Sequence, residues 1–347
     1  MILKVDFEKN LGSDKGRSYD VIVERNALKK IGKYIDLRRK VLVITDRGVP
    51  IEYANAVCNA CYHPIRVTVE PGEESKSLQN FESLLNIMLE NGFTRTDCVV
   101  AVGGGVVGDL AGFVAASYMR GIDFYNIPTT ILSQVDSSIG GKVAVDLCGV
   151  KNIVGAFYQP KRVLIDPDVL KTLPARQISN GISEAIKMSL TSDAVLFEMF
   201  ESGAADEEIE TVIERSLRIK KAVVEQDERE NGLRKILNFG HTLGHGIEAE
   251  EELHGLYHGE CVALGMLPMC SEQVYSRLVP VLKHWNLPTR ITGDLEKMLE
   301  IAAHDKKCKG SSISVVWVEE VGAFKLMDMP LDEWKKMVRR RLAALTD

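Results

Sequence analysis

The first half of the chain alternates short apolar runs with stretches of helical spacing. Six β-branched or apolar runs close on Asp, Gly or Pro and predict strands at residues 2–7, 20–23, 40–45, 65–69, 98–102 and 163–165. Segments such as residues 75–90 lie between them, with apolar positions three or four residues apart. This alternation predicts an α/β layer with a largely parallel sheet, a Rossmann-like arrangement.

After Asp166-Pro167 the pattern becomes mainly helical. Apolar residues at three- and four-residue intervals predict helices at 177–190, 194–200, 209–226, 234–250, 260–276 and 331–345. Residues 312–327 are the exception, because two β-rich runs flank Val321-Gly322 as in a hairpin. We therefore expect two domains, 1–166 and 167–347, with a cleft between them as the default place for a site.

Length, composition and charge narrow the class of protein. The 347 residues suffice for two domains, and 45% hydrophobic with 27% charged residues is typical of a globular protein. A net charge of −6 gives no basic field for nucleic acid, and no apolar run approaches the ~20 residues of a membrane span. We expect a cytoplasmic protein. Seven cysteines, including Cys58 and Cys61 of a C-x-x-C, fit reduced structural thiols.

A glycine-rich turn follows the strand predicted at 98–102. Residues 103–108 satisfy G-x-G-x-x-G and lead into a small-residue helix, where backbone N–H groups can approach a pyrophosphate. The turn lies late in the chain and lacks an acidic partner ~20 residues on, so tight packing is an alternative explanation. Loops at Lys76 and at Thr129-Thr130 follow other predicted strands and could converge on the same nucleotide.

Four of the seven histidines fall in one short segment: His241, His245, His254 and His258. His241 and His245 share one face of a predicted helix. Two imidazoles and one carboxylate leave a coordination position open, which is typical of a catalytic divalent ion. The residues alone leave the carboxylate open between Glu184, Glu248 and Glu260, although Glu184 lies on a mainly apolar helix face where it needs a partner.

Several cations lie beside glycine, asparagine or short apolar runs, and they suit a phosphate or carboxylate ligand. They are Lys142, Lys151, Lys187, Lys220, Arg234, Lys306 and Lys307. Each lysine by itself is better explained as a solvated side chain, and only the coincidence of these residues with the motifs favours a ligand-binding role.

Taken together, the motifs resemble the 3-dehydroquinate synthase family. They occur in order across most of the chain: residues 103–109, Arg120-Gly-Ile, Ile127-Pro-Thr-Thr, residues 134–142, residues 151–157, Leu173-Pro, residues 184–187, residues 238–245 and His258-Gly-Glu. The resemblance implies an NAD-binding α/β domain, a helical metal-binding domain and a homodimer. It also implies conversion of 3-deoxy-D-arabino-heptulosonate 7-phosphate to 3-dehydroquinate and phosphate, with NAD regenerated in each turnover.

The resemblance also implies roles for individual residues. Zn²⁺ or Co²⁺ would be held by Glu184, His241 and His258. The reaction centre would contain Asp136, Lys142, Asn152, Lys187, Asn238 and His245, with His245 moving a proton. Lys220 and Arg234 would bind the carboxylate, Lys306 or Lys307 the phosphate, and Arg120 would reach the neighbouring subunit. NAD would contact Asp46, Glu73, Lys76, Gly104, Gly105, Val106, Val107, Gly108, Asp109, Thr129, Thr130, Lys142, Lys151 and Thr172.

Four positions near the implied cofactor depart from the family pattern: Gly48, Val143, Ala144 and Asp146. They leave the implied metal ligands untouched. The rival interpretations are another sugar phosphate cyclase, such as 2-deoxy-scyllo-inosose synthase, a metal-dependent polyol dehydrogenase that would release NADH, and a non-catalytic nucleotide-binding subunit.

Overall fold

The computed structural model describes residues 1–7, 18–251, 255–304, 308–309 and 312–346. The chain divides into two compact units, Met1–Pro174 and Ala175–Asp347. The short helical segment Pro167–Thr172 belongs to the first unit, because Val169 packs into its core and Asp168 accepts a hydrogen bond from Arg25.

The first unit is built on a seven-stranded sheet with the order β1-β2-β9-β6-β5-β3-β4. Its strands are β1 (Ile2–Val5), β2 (Tyr19–Val23), β3 (Lys40–Asp46), β4 (His63–Val69), β5 (Cys98–Gly103), β6 (Asp123–Pro128) and β9 (Arg162–Ile165). Only β1 runs antiparallel to its neighbour β2, and the other pairs are parallel. The predicted largely parallel sheet is confirmed.

Helices cover both faces of this sheet, which explains its continuous apolar strands. They are α1 (Ile51–Ala60), α2 (Leu78–Glu90) and α3 (Gly105–Ser117). Val41 and Val43 of β3 join a cluster with α1, whereas Leu42 and Ile44 join a second cluster with α2 and α3. Successive residues of the strand thus pack into separate cores on the two faces of the sheet.

An antiparallel hairpin of β7 (Lys142–Leu147) and β8 (Val150–Phe157) completes the first unit. Its inner side packs on α3, where a Cβ at Gly112 would lie 2.3 Å from Val143 Cγ1. Ile153 and Phe157 of β8 are 41% and 40% exposed, so the hairpin presents apolar side chains outward.

The second unit is mainly helical. Its helices are α4 (Ala175–Ser192), α5 (Ala194–Ser202), α6 (Ala204–Glu207), α7 (Ile209–Gln226), α8 (His241–Glu251), α9 (His258–Met266), α10 (Glu272–His284), α11 (Leu295–His304) and α12 (Leu331–Thr346). A small antiparallel sheet adds β10 (Cys308–Lys309), β11 (Ser312–Trp317) and β12 (Lys325–Pro330). The predicted helical half and the hairpin near Gly322 are confirmed.

Two predicted long helices are interrupted. The segment 234–250 begins as a 3-10 turn at Leu233–Asn238 and becomes α-helical only at His241, because Gly240 takes φ +76°. The segment 260–276 divides at Pro268, within the 3-10 turn Leu267–Met269, and α10 starts anew with Ser271 capping the amide of Val274.

Candidate functional site

Three ligand-type atoms from three helices converge within the second unit. Oε1 of Glu184 on α4 lies 3.5 Å from Nε2 of His241 on α8 and 3.5 Å from Nε2 of His258 on α9. One ligand atom from each of the three residues lies within 4.8 Å of the others. The three residues that the family resemblance implies as metal ligands are therefore neighbours in the structure.

Glycine contacts allow the three helices to approach so closely. A Cβ at Gly259 of α9 would lie 2.0 Å from the Asn180 carbonyl oxygen on α4, and a Cβ at Gly265 would lie 2.0 Å from the Gly240 carbonyl oxygen. The Gly259 amide also donates to Asn180 Oδ1 at 2.6 Å. The start of α9, and with it His258, is thus fixed on α4.

The second ring nitrogen of each histidine has its own partner. His241 Nδ1 lies 3.2 Å from the Phe239 carbonyl oxygen, and His258 Nδ1 lies 3.1 Å from Glu248 Oε2. Both partners can only accept, so each Nδ1 donates a hydrogen bond and Nε2 is the ring nitrogen that faces Glu184.

The electrostatics of this cluster favour a cation. Burial alone would raise the pKa of the Glu184 carboxyl, but Lys187, whose ammonium pairs with Oε2, and His258 lower it. Burial alone would lower the pKa of His258, but Glu184 and Glu248 raise it to about 10. Oε1 of Glu184 is buried and accepts no hydrogen bond from any described residue. A divalent ion fits this convergence of acceptors.

The other implied residues of this unit surround the cluster or lie elsewhere in it. His245 packs edge-on to His241, with ring centroids 5.5 Å apart, and lies 6.1 Å from His258. Asn238 donates to Glu230 Oε1 at 2.6 Å. Lys220 and Arg234 are buried. Lys306, Lys307 and His254 lie outside the described residues.

The sequence analysis did not identify Asp227, which organises the loop before Arg234. Its carboxylate accepts backbone hydrogen bonds from Asn231, Gly232 and Arg234 at 2.7–2.9 Å. Burial alone would raise the pKa of the Asp227 carboxyl, but these backbone hydrogen bonds together lower it. The only sequence signal for this role is that Asp227 lies four residues before the turn dipeptide Asn231-Gly232.

In the first unit, the glycine turn joins β5 to α3 as predicted. No side chain caps α3, and the first intrahelical amide bond is donated by Gly108, so the amides of Gly105, Val106 and Val107 have no carbonyl partner within the helix. A Cβ at Gly104 would lie 3.2 Å from Thr130 Cγ2, and the Thr129 amide donates to the Gly103 carbonyl oxygen. The loops after β5 and β6 therefore adjoin.

A buried lysine links several further residues of the implied nucleotide set. Lys76 Nζ lies 3.0 Å from Glu73 Oε1 and 3.0 Å from Asp109 Oδ2, and it also donates to Asn152 Oδ1. Burial alone would lower the pKa of Lys76, but Asp109 and Glu73 raise it. Asn152, implied for the reaction centre, is thus in direct contact with a residue implied for the cofactor.

The remaining implied residues of the first unit are dispersed over the strand ends. Asp46 accepts from the Gly48 amide at 2.7 Å, and burial raises the pKa of its carboxyl. Thr172 contacts the Tyr53 hydroxyl at 2.9 Å. Asp136 lies in the turn Ser133–Ser137, whereas Arg120, Lys142 and Lys151 are exposed.

Gly48 itself has a structural explanation. A Cβ at this position would lie 3.0 Å from Asp46 Oδ1, so glycine accommodates the tight turn after β3. We find no comparable explanation for Ala144.

No described helix is long and apolar enough to cross a membrane.

Comparisons with known proteins agree with the motif resemblance. The family model for the 3-dehydroquinate synthase N-terminal region matches residues 66–180, and the model for its C-terminal region matches residues 181–308. A 3-dehydroquinate synthase of Enterococcus faecalis is 40% identical over 346 residues, covering 93% of this chain and 96% of the relative. One of Clostridium acetobutylicum is 41% identical over 336 residues, covering 91% and 94%.

A solved structure supports the same fold. A 2-deoxy-scyllo-inosose synthase in complex with carbaglucose-6-phosphate, NAD⁺ and Co²⁺ has a TM-score of 0.87 and 27% identity. The alignment covers 99% of this chain and 100% of that chain. The family models and the curated relatives together show that the chain belongs to the 3-dehydroquinate synthase family.

Proposed function

We propose that this chain is a 3-dehydroquinate synthase. It converts 3-deoxy-D-arabino-heptulosonate 7-phosphate to 3-dehydroquinate and phosphate, and the phosphate elimination makes it a carbon–oxygen lyase. The observation that carries the proposal is the convergence of Glu184, His241 and His258 on one point, in a chain about 40% identical to enzymes of that name.

The proposed cofactors are one divalent ion, Zn²⁺ or Co²⁺, and NAD. When bound, the ion supplies Lewis acidity to the substrate hydroxyls, and NAD supplies an acceptor and donor of hydride. Glu184, His241 and His258 would hold the ion. The amides of Gly105, Val106 and Val107 would bind the pyrophosphate at the start of α3, where the helix dipole favours negative charge.

The protein residues bind the substrate and move protons. The buried cations Lys220 and Arg234 bind its carboxylate, and Arg234 is held by the loop that Asp227 organises. His245 lies beside both histidine ligands and exchanges a proton with the substrate. Asn238, Lys187, Asp136, Lys142 and Asn152 orient the reacting groups. The conversion is redox-neutral overall, so NAD would be regenerated in each turnover and not consumed.

The active species is proposed to be a homodimer in which Arg120 reaches the site of the partner subunit. Met119 and Arg120 both have positive φ, at 50° and 69°, so this turn is held in a strained conformation. Arg120 is exposed, and Met119 beside it is 43% exposed. The cytoplasmic location stays a prediction.

One assay separates the candidate functions. Purified protein receives the heptulosonate phosphate with Zn²⁺ and much less NAD than substrate, and phosphate release is followed together with absorbance of NADH. We expect many turnovers per NAD and no accumulation of NADH. Stoichiometric NADH would indicate a dehydrogenase, and turnover only of a sugar phosphate without a carboxylate would indicate a different cyclase.

A matched pair of variants links the assay to the site. His241→Ala removes one proposed ligand and should abolish phosphate release and metal retention. His284→Ala removes an exposed histidine that pairs with Asp206 and should retain both. Full activity and metal content of His241→Ala would contradict the proposed site.

A further inference from the structure

His258 has a second acidic neighbour that the proposed function leaves without a role. Glu248 lies on α8, three residues after His245 and seven after His241, so the helical repeat places the three on one face. Its Oε2 lies 3.1 Å from His258 Nδ1, on the opposite side of the ring from the nitrogen that faces Glu184. The ring of His258 is therefore held between two carboxylates.

This arrangement determines the state of the ring. A carboxylate can only accept, so Nδ1 must donate a hydrogen bond to Glu248, which leaves Nε2 as the atom that can bind an ion. The backbone carbonyl of Phe239 does the same for His241. The two rings are thus oriented by partners of different kinds, and the partner of His258 is a side chain that mutation can change.

We propose that Glu248 is a positioning residue of the metal centre, which orients His258 and sets its tautomer without binding the ion itself. This inference rests on the proposed function, since it requires Glu184, His241 and His258 to hold a divalent ion. Without Glu248 the ring can rotate, or it can carry its proton on Nε2 instead of Nδ1, and either change removes one ligand. Loss of such a partner lowers metal affinity by about 10- to 100-fold.

The rival role for Glu248 is that of a ligand. His245, Glu248 and His258 also offer atoms within 4.8 Å of one another, so these three could hold an ion of their own. The two roles differ in stoichiometry. A positioning residue leaves the number of bound ions at one per chain, whereas a ligand of a second site gives two in the wild type and one in its variant.

The test compares Glu248→Ala and Glu248→Gln with Glu250→Gln in the full-length protein. Glu250 is a matched control, because it lies on the same helix and pairs with Lys297 Nζ at 2.5 Å rather than with a histidine. Each protein is stripped with a chelator and titrated with Zn²⁺ against a chromophoric competitor. The visible spectrum of the Co²⁺ form and the thermal midpoint are recorded alongside.

We expect one ion per chain in every protein and a Zn²⁺ Kd about 10- to 100-fold higher for Glu248→Ala. Glu248→Gln should recover part of this loss, since its amide oxygen can still accept a hydrogen bond from Nδ1. The Co²⁺ spectrum should change more in Glu248→Ala than in Glu248→Gln. Glu250→Gln should keep the wild-type Kd and spectrum even if its thermal midpoint falls.

Three results would overturn the proposal. An unchanged Kd and Co²⁺ spectrum for Glu248→Ala would leave Glu248 a purely structural role. Two ions in the wild type and one in Glu248→Ala would make it a ligand. A wild-type protein that binds no divalent ion would refute the metal site itself, and with it the proposed function, whereas the first two results leave that function intact.

Discussion

At the scale of single residues, the charge around Glu184 explains why this position suits a cation. Glu184 and Glu248 bring two carboxylates to the histidines, whereas Lys187 brings a single ammonium. Lys187 neutralises one oxygen of Glu184 and leaves Oε1 for a ligand. The lysine thus makes the burial of the carboxylate tolerable without occupying its coordinating atom.

Glu184→Gln tests these separate roles of the two Glu184 oxygens. The amide keeps the shape of the side chain but removes the negative charge, so we expect metal content below about a tenth of the wild-type value and a lower thermal midpoint, because Lys187 loses its buried partner. Elemental analysis and calorimetry measure the two effects. Ser183→Ala is the control: this buried hydroxyl has no hydrogen-bond partner among the described residues, and its loss should alter neither quantity. Normal metal retention by Glu184→Gln would contradict the assignment.

In the first unit, the buried ammonium of Lys76 contacts Glu73, Asp109 and Asn152, as the ammonium of Lys187 contacts Glu184 in the second. Lys76→Met should lower stability by about 2 kcal/mol, less than for a fully buried pair because Glu73 is partly exposed. We also expect the Kd for NAD to rise at least about tenfold, which is about 1.4 kcal/mol. Calorimetric titration with NAD measures this affinity.

Lys161→Met is the control for Lys76→Met, since Lys161 is exposed and lies 3.7 Å from Asp123. Its NAD affinity should match the wild type. Equal affinities for all three proteins would show that the Lys76 cluster is structural and not part of the cofactor site.

The proposed carboxylate ligand shows how far single residues could be predicted. Sequence reasoning narrowed the choice to Glu184, Glu248 and Glu260, and the structure gives each acid a different set of contacts. Glu184 faces both Nε2 atoms, Glu248 faces Nδ1 of His258, and Glu260 accepts two hydrogen bonds from the Arg176 guanidinium. Residue types and spacing cannot separate these roles, because they depend on how α4 packs against α8 and α9.

At the scale of helices and strands, the pattern predicted most elements but not their breaks. The central strands were predicted from continuous apolar runs, whereas the hairpin of β7 and β8 was missed because its outer residues are exposed and its sequence lacks clear alternation. The helix predicted at 234–250 ignored Gly240, whose positive φ turns the chain before His241. This break matters for the site, because it makes His241, a proposed ligand, the first residue of α8.

Close helix packing supplies a prediction at this scale. Gly259→Ala would place a methyl group 2.0 Å from the Asn180 carbonyl oxygen, so α9 must shift away from α4 and carry His258 with it. We expect a loss of about 1–3 kcal/mol in stability and a weaker affinity for Zn²⁺. Gly32→Ala, where no atom lies within 4 Å of the added Cβ, should change neither. Wild-type Zn²⁺ affinity in a folded Gly259→Ala protein would show that the site tolerates movement of α9.

At the scale of the whole molecule, each compact unit contains one proposed ligand site. The residues proposed for the ion all lie in the second unit, and those proposed for NAD all lie in the first. A ligand stabilises the state that binds it by RT ln(1 + [L]/Kd), which is about 2.7 kcal/mol at a hundredfold excess over Kd. We therefore expect each ligand to stabilise its own unit against local unfolding. The ion should stabilise α4, α8 and α9, and NAD should stabilise the turn between β5 and α3.

The proposed homodimer gives the last prediction. The outward side of β8 presents Ile153 and Phe157, and a covered apolar patch is the usual core of a subunit interface. Ile153→Asp would bury a charge without a partner at such an interface, so we expect the wild type to sediment at twice the 38.5 kDa chain mass and the variant at the mass of one chain. Leu89→Asp, which alters a residue of α2 that is 69% exposed, should stay dimeric. A dimeric Ile153→Asp would place the interface elsewhere, and a monomeric wild type would refute the proposal that Arg120 serves a partner site.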